Sequence, residues 1–247
     1  MNSSVIPGEE SNTDDVRTWY ENSYKEGKIT AQRKYPNEEF CRFMGRNFFK
    51  TNLDDRSHIK ILEVGCGSGS NLWMVAKEGF DAYGVDISSY SLNLAKMMLS
   101  NYEVRASLQL GDMTTLEFED NSFDAVADIF SSYCLNEVEG ESFIRSVHRV
   151  LKPGGKFFSF FPCKSSDAFK NHSPASLIDN STLNGIHRAS SPFYGNFYTF
   201  RFSSTEDYHS LLTRNGFNVT YLETISRSYN SQTENFSFIS IEAAKRL

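Results

Sequence analysis

Short apolar runs alternate along the middle of the chain with segments whose apolar residues recur at helical spacing. The run from 59 to 64 is apolar apart from Lys60 and Glu63, and the segment after the next turn places Leu72 and Val75 on one face. Such runs predict strands buried on both faces, and the segments between them predict amphipathic helices. The pattern therefore predicts a layered α/β fold with a parallel sheet. The predicted strands are 59–64, 80–86, 106–110, one that starts at Phe123, and 156–161.

Two helices are predicted ahead of the first strand. The first starts near Asp14, and the second has Asn37 as its N-cap with acidic residues in its first turn. A basic and aromatic loop joins them, and we expect this unit to cap the carboxyl edge of the sheet, where ligands bind in such folds. The alternative is that the aromatic side chains only pack the helices down and that the arginine is solvated. The candidate lid residues are Tyr20, Tyr24, Arg33 and Tyr35.

The composition fits one soluble domain. A chain of 247 residues with 39% hydrophobic content allows one full-sized α/β domain and leaves little room for a second. The formal charge is -6 and no Lys/Arg cluster is present, so we expect no nucleic-acid partner. Four scattered cysteines argue against zinc and against disulfides. We expect no membrane partner and a cytoplasmic location, because no stretch approaches the roughly 18 apolar residues of a membrane span and no signal-peptide core is visible.

Three glycines, Gly65, Gly67 and Gly69, separate the first strand from the following helix. A strand that turns into a helix through glycines brings bare backbone and a helix N-terminus to one spot, as nucleotide-type ligands require. The dinucleotide pattern G-x-G-x-x-G would place its third glycine where Ser70 stands, so NAD is disfavoured. A glycine-rich junction that serves packing alone is the alternative.

Further signals follow at the spacing of successive strand–helix units. Asp86 ends the second predicted strand and is suited to accept hydrogen bonds from ribose hydroxyls. Its alternative role is to cap the next helix, but Ser88 is better placed for that, which leaves the carboxylate free. Asp112 follows the third predicted strand, where an ordinary turn is the alternative.

Taken together, these motifs resemble those of a known family. The run Glu63-x-Gly65-x-Gly67-x-Gly69 resembles motif I of the class I, Rossmann-like S-adenosylmethionine (SAM) dependent methyltransferases. The segment 149–155, Arg-Val-Leu-Lys-Pro-Gly-Gly, is similar to the turn before strand five of their small-molecule members. The resemblance covers roughly 59–161 and implies a seven-stranded, mostly parallel, doubly wound sheet with a reversed last strand. A helical pattern at 204–215 and strand patterns at 216–222 and 236–243 agree with it.

The resemblance also implies roles for single residues. The glycine loop would approach the methionine part of SAM, Asp86 would bind the ribose, and Asp112 with the Met113 amide would hold the adenine edge. Tyr133 stands where many relatives have His, so a histidine contact or base cannot be carried over. The implied cofactor-binding residues are Glu63, Gly65, Cys66, Gly67, Asp86, Ile87, Asp112, Met113, Asp128, Ile129 and Tyr133.

The segment 163–203 is long for a connection and is predicted to form a lid over the acceptor substrate. Tyr133, His172 and His187 are candidate catalytic residues, and no metal ligands are predicted. The alternatives are that the histidines are structural and that the aromatics of 193–202 only pack on the core. The lid has more basic groups than acids, which favours a neutral or anionic acceptor. The candidate substrate-binding residues are Tyr20, Arg33, His187, Arg188, Tyr194 and Tyr198.

The sequence thus predicts a SAM-dependent methyltransferase that modifies an O or N atom of a small polar metabolite, for which we favour a sugar or surface-polysaccharide precursor. The alternatives are a non-catalytic SAM-binding regulatory or partner protein and another SAM-type transferase. The oligomeric state is left open. The predicted organisation is a single domain with a flexible tail (1–13), a helical cap (14–57), a SAM-binding core (58–162), a substrate lid (163–203) and a C-terminal helix with two strands (204–247).

Overall fold

The apolar runs of the sequence form one seven-stranded sheet in the computed structural model, which describes residues 12–27 and 32–247. A separate two-stranded sheet lies in the 163–203 segment. The strands of the described chain are β1 (Lys60–Val64), β2 (Asp81–Asp86), β3 (Ser107–Leu110), β4 (Phe123–Ile129), β5 (Leu151–Pro162), β6 (Thr182–Leu183), β7 (Phe200–Arg201), β8 (Phe217–Tyr229) and β9 (Glu234–Lys245).

Helices connect the parallel strands and precede β1. None of the helices in the described ranges is long and apolar enough to cross a membrane. The predicted tail lies outside the described residues up to position 11, as does the segment 28–31. The helices are α1 (Asn12–Gly27), α2 (Glu38–Asn47), α3 (Leu53–Arg56), α4 (Leu72–Lys77), α5 (Ser89–Asn101), α6 (Glu137–Val150), α7 (Asp167–Lys170) and α8 (Thr205–Arg214).

The strand order of the large sheet is β3-β2-β1-β4-β5-β9-β8. The first five strands are parallel, whereas β9 runs antiparallel to both β5 and β8. Val64 at the end of β1 pairs with Val85 of β2 and with Asp128 of β4, so three carboxyl ends meet at one edge. This arrangement confirms the predicted α/β fold with its reversed strand and brings the loops after β1, β2 and β4 together.

Local capping signals correctly predicted two helix starts and missed a third. Asn37 caps α2, since its side chain accepts hydrogen bonds from Glu39 and Phe40 amides, and Ser88 caps α5 in the same way. By contrast, α6 begins at Glu137, whereas the helical spacing of apolar residues is visible in the sequence only from position 141. The cause is a capping box in which the Asn136 and Glu139 side chains each accept from the other's backbone amide.

Two strands are longer than the sequence predicted, because partner strands extend them. β5 begins at Leu151, which pairs with Phe123 ahead of an irregularity in the ladder, although the turn at 153–155 had suggested a later start. β8 continues to Tyr229 because it pairs with β9 along its whole length. The far end of this hairpin reaches past the last β5 pair, Pro162 with Phe238, and provides a surface for the 163–203 segment.

Buried aromatic rings hold the sheet and its covering elements together. Phe158 of β5 is fully buried between the rings of Phe40 and Phe43, so α2 is packed directly on the sheet. A second cluster joins the tip of β4, the 163–203 segment and the β8–β9 hairpin. This supports the alternative that aromatics of this segment pack on the core. The second cluster comprises Phe130, Phe193, Phe200, Phe236 and Phe238.

We expect Phe158→Ala to lower the free energy of unfolding by about 3–5 kcal/mol, because it leaves a cavity between two rings that cannot close fully. Urea denaturation followed by circular dichroism measures the change. Phe197→Ala is the matched control, since Phe197 is 54% exposed, and we expect a loss below about 1 kcal/mol there. Equal losses for the two variants would contradict the assignment of Phe158 to the core.

Candidate active site

The turn from β1 into α4 is built from backbone that only glycine adopts readily. Gly65, Gly67 and Gly69 have φ values of +61°, +52° and +79°. A β-carbon at Gly65 would collide with the Ser131 side chain, and one at Gly67 would come too close to the Tyr24 hydroxyl. The glycines are therefore required for the turn and for the close approach of its neighbours.

This turn borders a cavity of about 310 Å³ at the carboxyl edge of the sheet. α1 and residues 32 and 33 close it from the outside, so the predicted cap covers this edge. A narrower slot continues from it beside Ile87, Asp112 and Met113. The cavity is lined by Val16, Tyr20, Tyr24, Gln32, Arg33, Glu63, Gly65, Cys66, Gly67, Ser68, Ser70, Asn71, Asp86, Ile87, Met113, Ile129, Phe130, Ser131, Tyr133 and Cys134.

One end of the cavity carries an acid and a cation. Glu63 is buried, and burial raises the pKa of its carboxyl to about 8. Its Oε1 accepts from Asn71 Nδ2 at 2.5 Å, while no described group bonds to its Oε2. Arg33 donates to Asn71 Oδ1 and to Ser70 Oγ, each at 3.0 Å. The arginine is thus bound to the glycine turn, and one buried carboxylate oxygen is available to a ligand.

Asp86 lies at the tip of β2 and is less free than predicted. Its Oδ2 accepts from the Gly67 amide at 2.7 Å, and its Oδ1 accepts from the Ser88 amide at 2.9 Å. Burial raises the pKa of its carboxyl, and these hydrogen bonds oppose the shift. The carboxylate lines the cavity and also fixes the glycine turn. Each of its oxygens retains a further lone pair that could accept a hydrogen bond from a ligand.

Asp112 and Met113 lie along the slot, as their positions after β3 predicted. The Asp112 Oδ1 accepts from the Thr114 amide at 2.7 Å and from the Thr114 hydroxyl at 2.8 Å, so it also caps a short 3-10 turn. The slot is apolar elsewhere, with Val85, Ile87 and Leu135 in its walls. Its shape and polarity suit the edge of an aromatic ring.

Asp128 corrects the sequence prediction, because its side chain does not line the cavity. It is fully buried, and its carboxylate accepts from the hydroxyls of Ser131, Ser132 and Ser159 at 2.6, 2.5 and 2.8 Å. The amides of the first two serines add to this set. Asp128 therefore holds the loop after β4 in place, and the neighbouring Ile129 contributes to the cavity wall.

Three tyrosine hydroxyls meet beside the cavity. Tyr20 and Tyr133 lie 2.7 Å apart, Tyr133 and Tyr198 lie 2.6 Å apart, and the third side of the triangle measures 3.1 Å. Desolvation raises the pKa of all three phenols above the usual value, so they stay neutral at physiological pH. We call these residues the tyrosine triad. Two of them line the cavity, and Tyr198 supports both from behind.

The structure does not bring the other candidate residues of the 163–203 segment to the cavity. His172 lies against the Phe169 carbonyl, and Arg188 pairs with the fully buried Glu234 at 2.8 Å. His187 and Tyr194 both pack on Phe197. Arg188 thus pairs with the β8–β9 hairpin, whereas the two histidines and Tyr194 contact other residues of the 163–203 segment. Tyr35 of the predicted cap is likewise exposed.

Phe130 is a cavity residue that the sequence prediction missed. Its φ is +56°, which is uncommon for a residue with a side chain and typical of strained positions near functional sites. Rings of Tyr133 and Phe193, at 4.4 and 4.9 Å, hold it there. Asn71 was also missed, although a buried asparagine next to a glycine turn was a visible signal. In the described ranges, no group of three or more His, Cys, Asp or Glu could hold a metal ion.

Comparisons with known proteins agree with this geometry. A family model for a methyltransferase domain matches residues 61–155. Demethylmenaquinone methyltransferase of Tropheryma whipplei is 36% identical over 99 residues, which are 39% of this chain and 39% of that protein. A tRNA N(3)-methylcytidine methyltransferase of Schizosaccharomyces pombe is 28% identical over 138 residues, 53% of this chain and 43% of that protein. The chain thus spans less than half the length of these relatives.

The similarity of fold extends over nearly the whole chain. A solved structure of magnesium protoporphyrin IX methyltransferase from Synechocystis, with bound SAM, matches with a TM-score of 0.62 at 14% identity. The match covers 97% of this chain and 100% of that chain. The family-model match and the shared fold agree with the resemblance read from the sequence. Residues 61–155 thus match a methyltransferase domain, and the chain has the fold of the class I SAM-dependent methyltransferases.

Proposed function

We propose that this chain binds SAM in the cavity after β1 and transfers its methyl group to an O or N atom of a small polar metabolite. One observation carries the proposal. Arg33, bound to Asn71, and the open Oε2 of Glu63 border the same cavity, which continues into a narrow apolar slot. An amino acid group and an aromatic base, joined by a sugar, match these two ends.

The residues present fit the methionine end of SAM. The buried Oε2 of Glu63 can accept a hydrogen bond from the ammonium group of SAM, and this bond would satisfy an oxygen that otherwise has no partner among the described residues. Arg33, held by Ser70 and Asn71, offers donors to a carboxylate. The sequence analysis named Arg33 as a candidate substrate-binding residue. In this proposal Arg33 binds the cofactor instead.

The other end of SAM also has partners. Asp86 retains lone pairs for ribose hydroxyls beyond its bonds to Gly67 and Ser88. Ile87 and Met113 would flank the adenine, and Asp112 is close enough to the slot to accept from its amine. Gly65 and Gly67 would approach the ligand through their backbone because neither has a β-carbon.

Bound SAM supplies a methyl group that is already activated by its positive sulfur, so the protein's contribution is mainly to position the acceptor. The tyrosine triad contributes two hydroxyl-bearing side chains to the cavity wall, and in this proposal they face the acceptor substrate. Its raised phenol pKa values exclude a tyrosinate base near neutral pH. We infer that these hydroxyls orient the acceptor.

The triad favours a substrate whose methyl-accepting group can donate a hydrogen bond. Three hydroxyls in a triangle use their three protons on one another, and each oxygen retains a lone pair. A sugar hydroxyl or a neutral amine would meet this requirement. The size of the cavity, about 310 Å³, and the formal charge of -6 favour a small metabolite over a nucleic acid. Among such metabolites we favour a sugar or surface-polysaccharide precursor.

Transfer of label from methyl-labelled SAM to a panel of monosaccharides, sugar phosphates and small amines tests the activity. We expect Tyr133→Phe to reduce kcat/KM for the accepted substrate by roughly 10-fold or more, through loss of one orienting hydroxyl, without weakening S-adenosylhomocysteine binding. Tyr194→Phe, at an exposed position, is the matched control and should behave as wild type. Tight cofactor binding without transfer to any acceptor would instead favour the alternative of a SAM-binding regulatory protein.

The role of Arg33 has its own test by calorimetric titration. We expect Arg33→Met to weaken S-adenosylhomocysteine by roughly 10-fold or more and to leave adenosine affinity unchanged, because adenosine lacks the amino acid carboxylate. Arg42→Met removes an exposed cation that pairs with Glu38 outside the cavity, so it serves as the control. Equal losses for the two ligands would show that Arg33 does not bind the carboxylate.

Glu63 predicts a pH dependence of cofactor binding. Because the pKa of its carboxyl is raised to about 8, binding an ammonium group at lower pH first requires loss of a proton. We therefore expect S-adenosylhomocysteine affinity to rise as pH increases from 6 to about 8, by up to roughly 10-fold per unit, and then to level off. Glu63→Gln should abolish this slope, and adenosine should show little of it. A wild-type affinity that is flat over this range would rule out the proposed proton release.

A further inference from the structure

A second concave site lies outside the cofactor cavity, between α6 and α8. This groove has a volume of about 400 Å³ and, among the described residues, shares none of its lining with the cavity. The start of α6 and one face of α8 along its length form its sides, and residues 180, 181 and 203 also line it. The N-terminal turn of α6 contributes a partial positive charge to the groove.

Arg201 lies at the base of this groove and is unusually isolated. The residue is only 6% exposed, and its Nε has no hydrogen-bond partner among the described residues. Its guanidinium carbon lies 4.8 Å from the centre of the Phe161 ring, so one side of the group faces an apolar surface. A buried donor of this kind is rare and points to a missing acceptor. Burial also lowers the pKa of Arg201 without removing its charge.

The nearest acids do not supply that acceptor. Asp128 attracts Arg201 at longer range but receives hydrogen bonds from three serines. Asp179 likewise accepts from the amides of Glu137 and Ser181. Both carboxylates are thus engaged with other donors, although they offset part of the buried charge.

The other charged groups of the groove largely cancel. Lys164 pairs with Asp207 at 3.0 Å, and Arg214 pairs with Glu141 at 3.0 Å. These pairs leave Arg201 at the base and the Glu137 carboxylate at the edge of the groove. The unpaired cation is therefore the buried one, where a ligand would be least screened by solvent.

The helix facing Arg201 is adapted to its position. Gly140 stands inside α6, and a β-carbon there would collide with the guanidinium group. Glycine in a helix interior is unfavourable, so its presence where the arginine packs indicates that this placement is specific.

We propose that this groove binds an anion, with the Arg201 guanidinium as its main donor and a phosphate group as the ligand chemistry. Serines at 181 and 210 line the same groove, and their hydroxyls can donate to further phosphate oxygens. The phosphate belongs either to the free ion or to a small organic phosphate. The site is independent of the proposed methyl transfer.

Thermal unfolding in the presence of inorganic phosphate tests the site, with sodium chloride at matched ionic strength as the reference. We expect millimolar phosphate to raise the melting temperature by about 2 °C more than chloride does. Glucose 1-phosphate is the second probe, and a larger rise with it identifies an organic phosphate as the ligand. Arg201→Met should abolish the response, and the response should persist in Arg33→Met, which separates this site from the cofactor cavity.

A substitution on the exposed face of α8 tests the site even if Arg201→Met does not fold. Ser210→Glu places a carboxylate in the groove and should abolish the phosphate response. His209→Glu makes a similar change on the same helix outside the groove and should retain the response. The proposal fails if chloride stabilises the wild type as much as phosphate does, or if Ser210→Glu responds like wild type.

Discussion

The hydrogen bond from the Gly67 amide to Asp86 is the contact on which the proposed cofactor site depends. It joins the turn after β1 to the tip of β2, at 2.7 Å, in a place where neither group is accessible to water. The parallel pairing of β1 with β2 sets the two ends side by side, and the positive φ of Gly67 turns its amide toward the carboxylate. A single interaction thereby fixes the backbone that a ligand would approach and the acid that would bind it.

Two aspartates illustrate what the sequence could and could not predict. Asp86 and Asp128 both lie near the end of a buried parallel strand, and from the sequence alone they are equivalent candidates. Ser159, on another strand, completes the set of donors around Asp128 and makes it a structural residue. Such a partner is distant in sequence, so no local pattern reveals it.

The same distinction holds for larger elements. Strands β1 to β4 and the caps at Asn37 and Ser88 follow from neighbouring residues, and they were predicted correctly. The length of β8 depends on its pairing with β9, and the position of Arg188 in the 163–203 segment depends on Glu234 of β9. Neither was predicted from the sequence. Basic and aromatic side chains in a long connection look alike whether they face a ligand or another part of the chain.

The β8–β9 hairpin never reaches the cavity, yet it helps to shape it. Its Phe238 ring contacts Phe130 at 5.6 Å, and Phe130 lines the cavity next to the tyrosine triad. The family match ends at residue 155, before this hairpin begins. The glycine turn and the wall near Phe130 thus depend on separate stretches of the chain. Sequence change in the last third can remodel the pocket beside Tyr133 while the glycine turn stays the same, so close relatives would share a cofactor and diverge in what they modify.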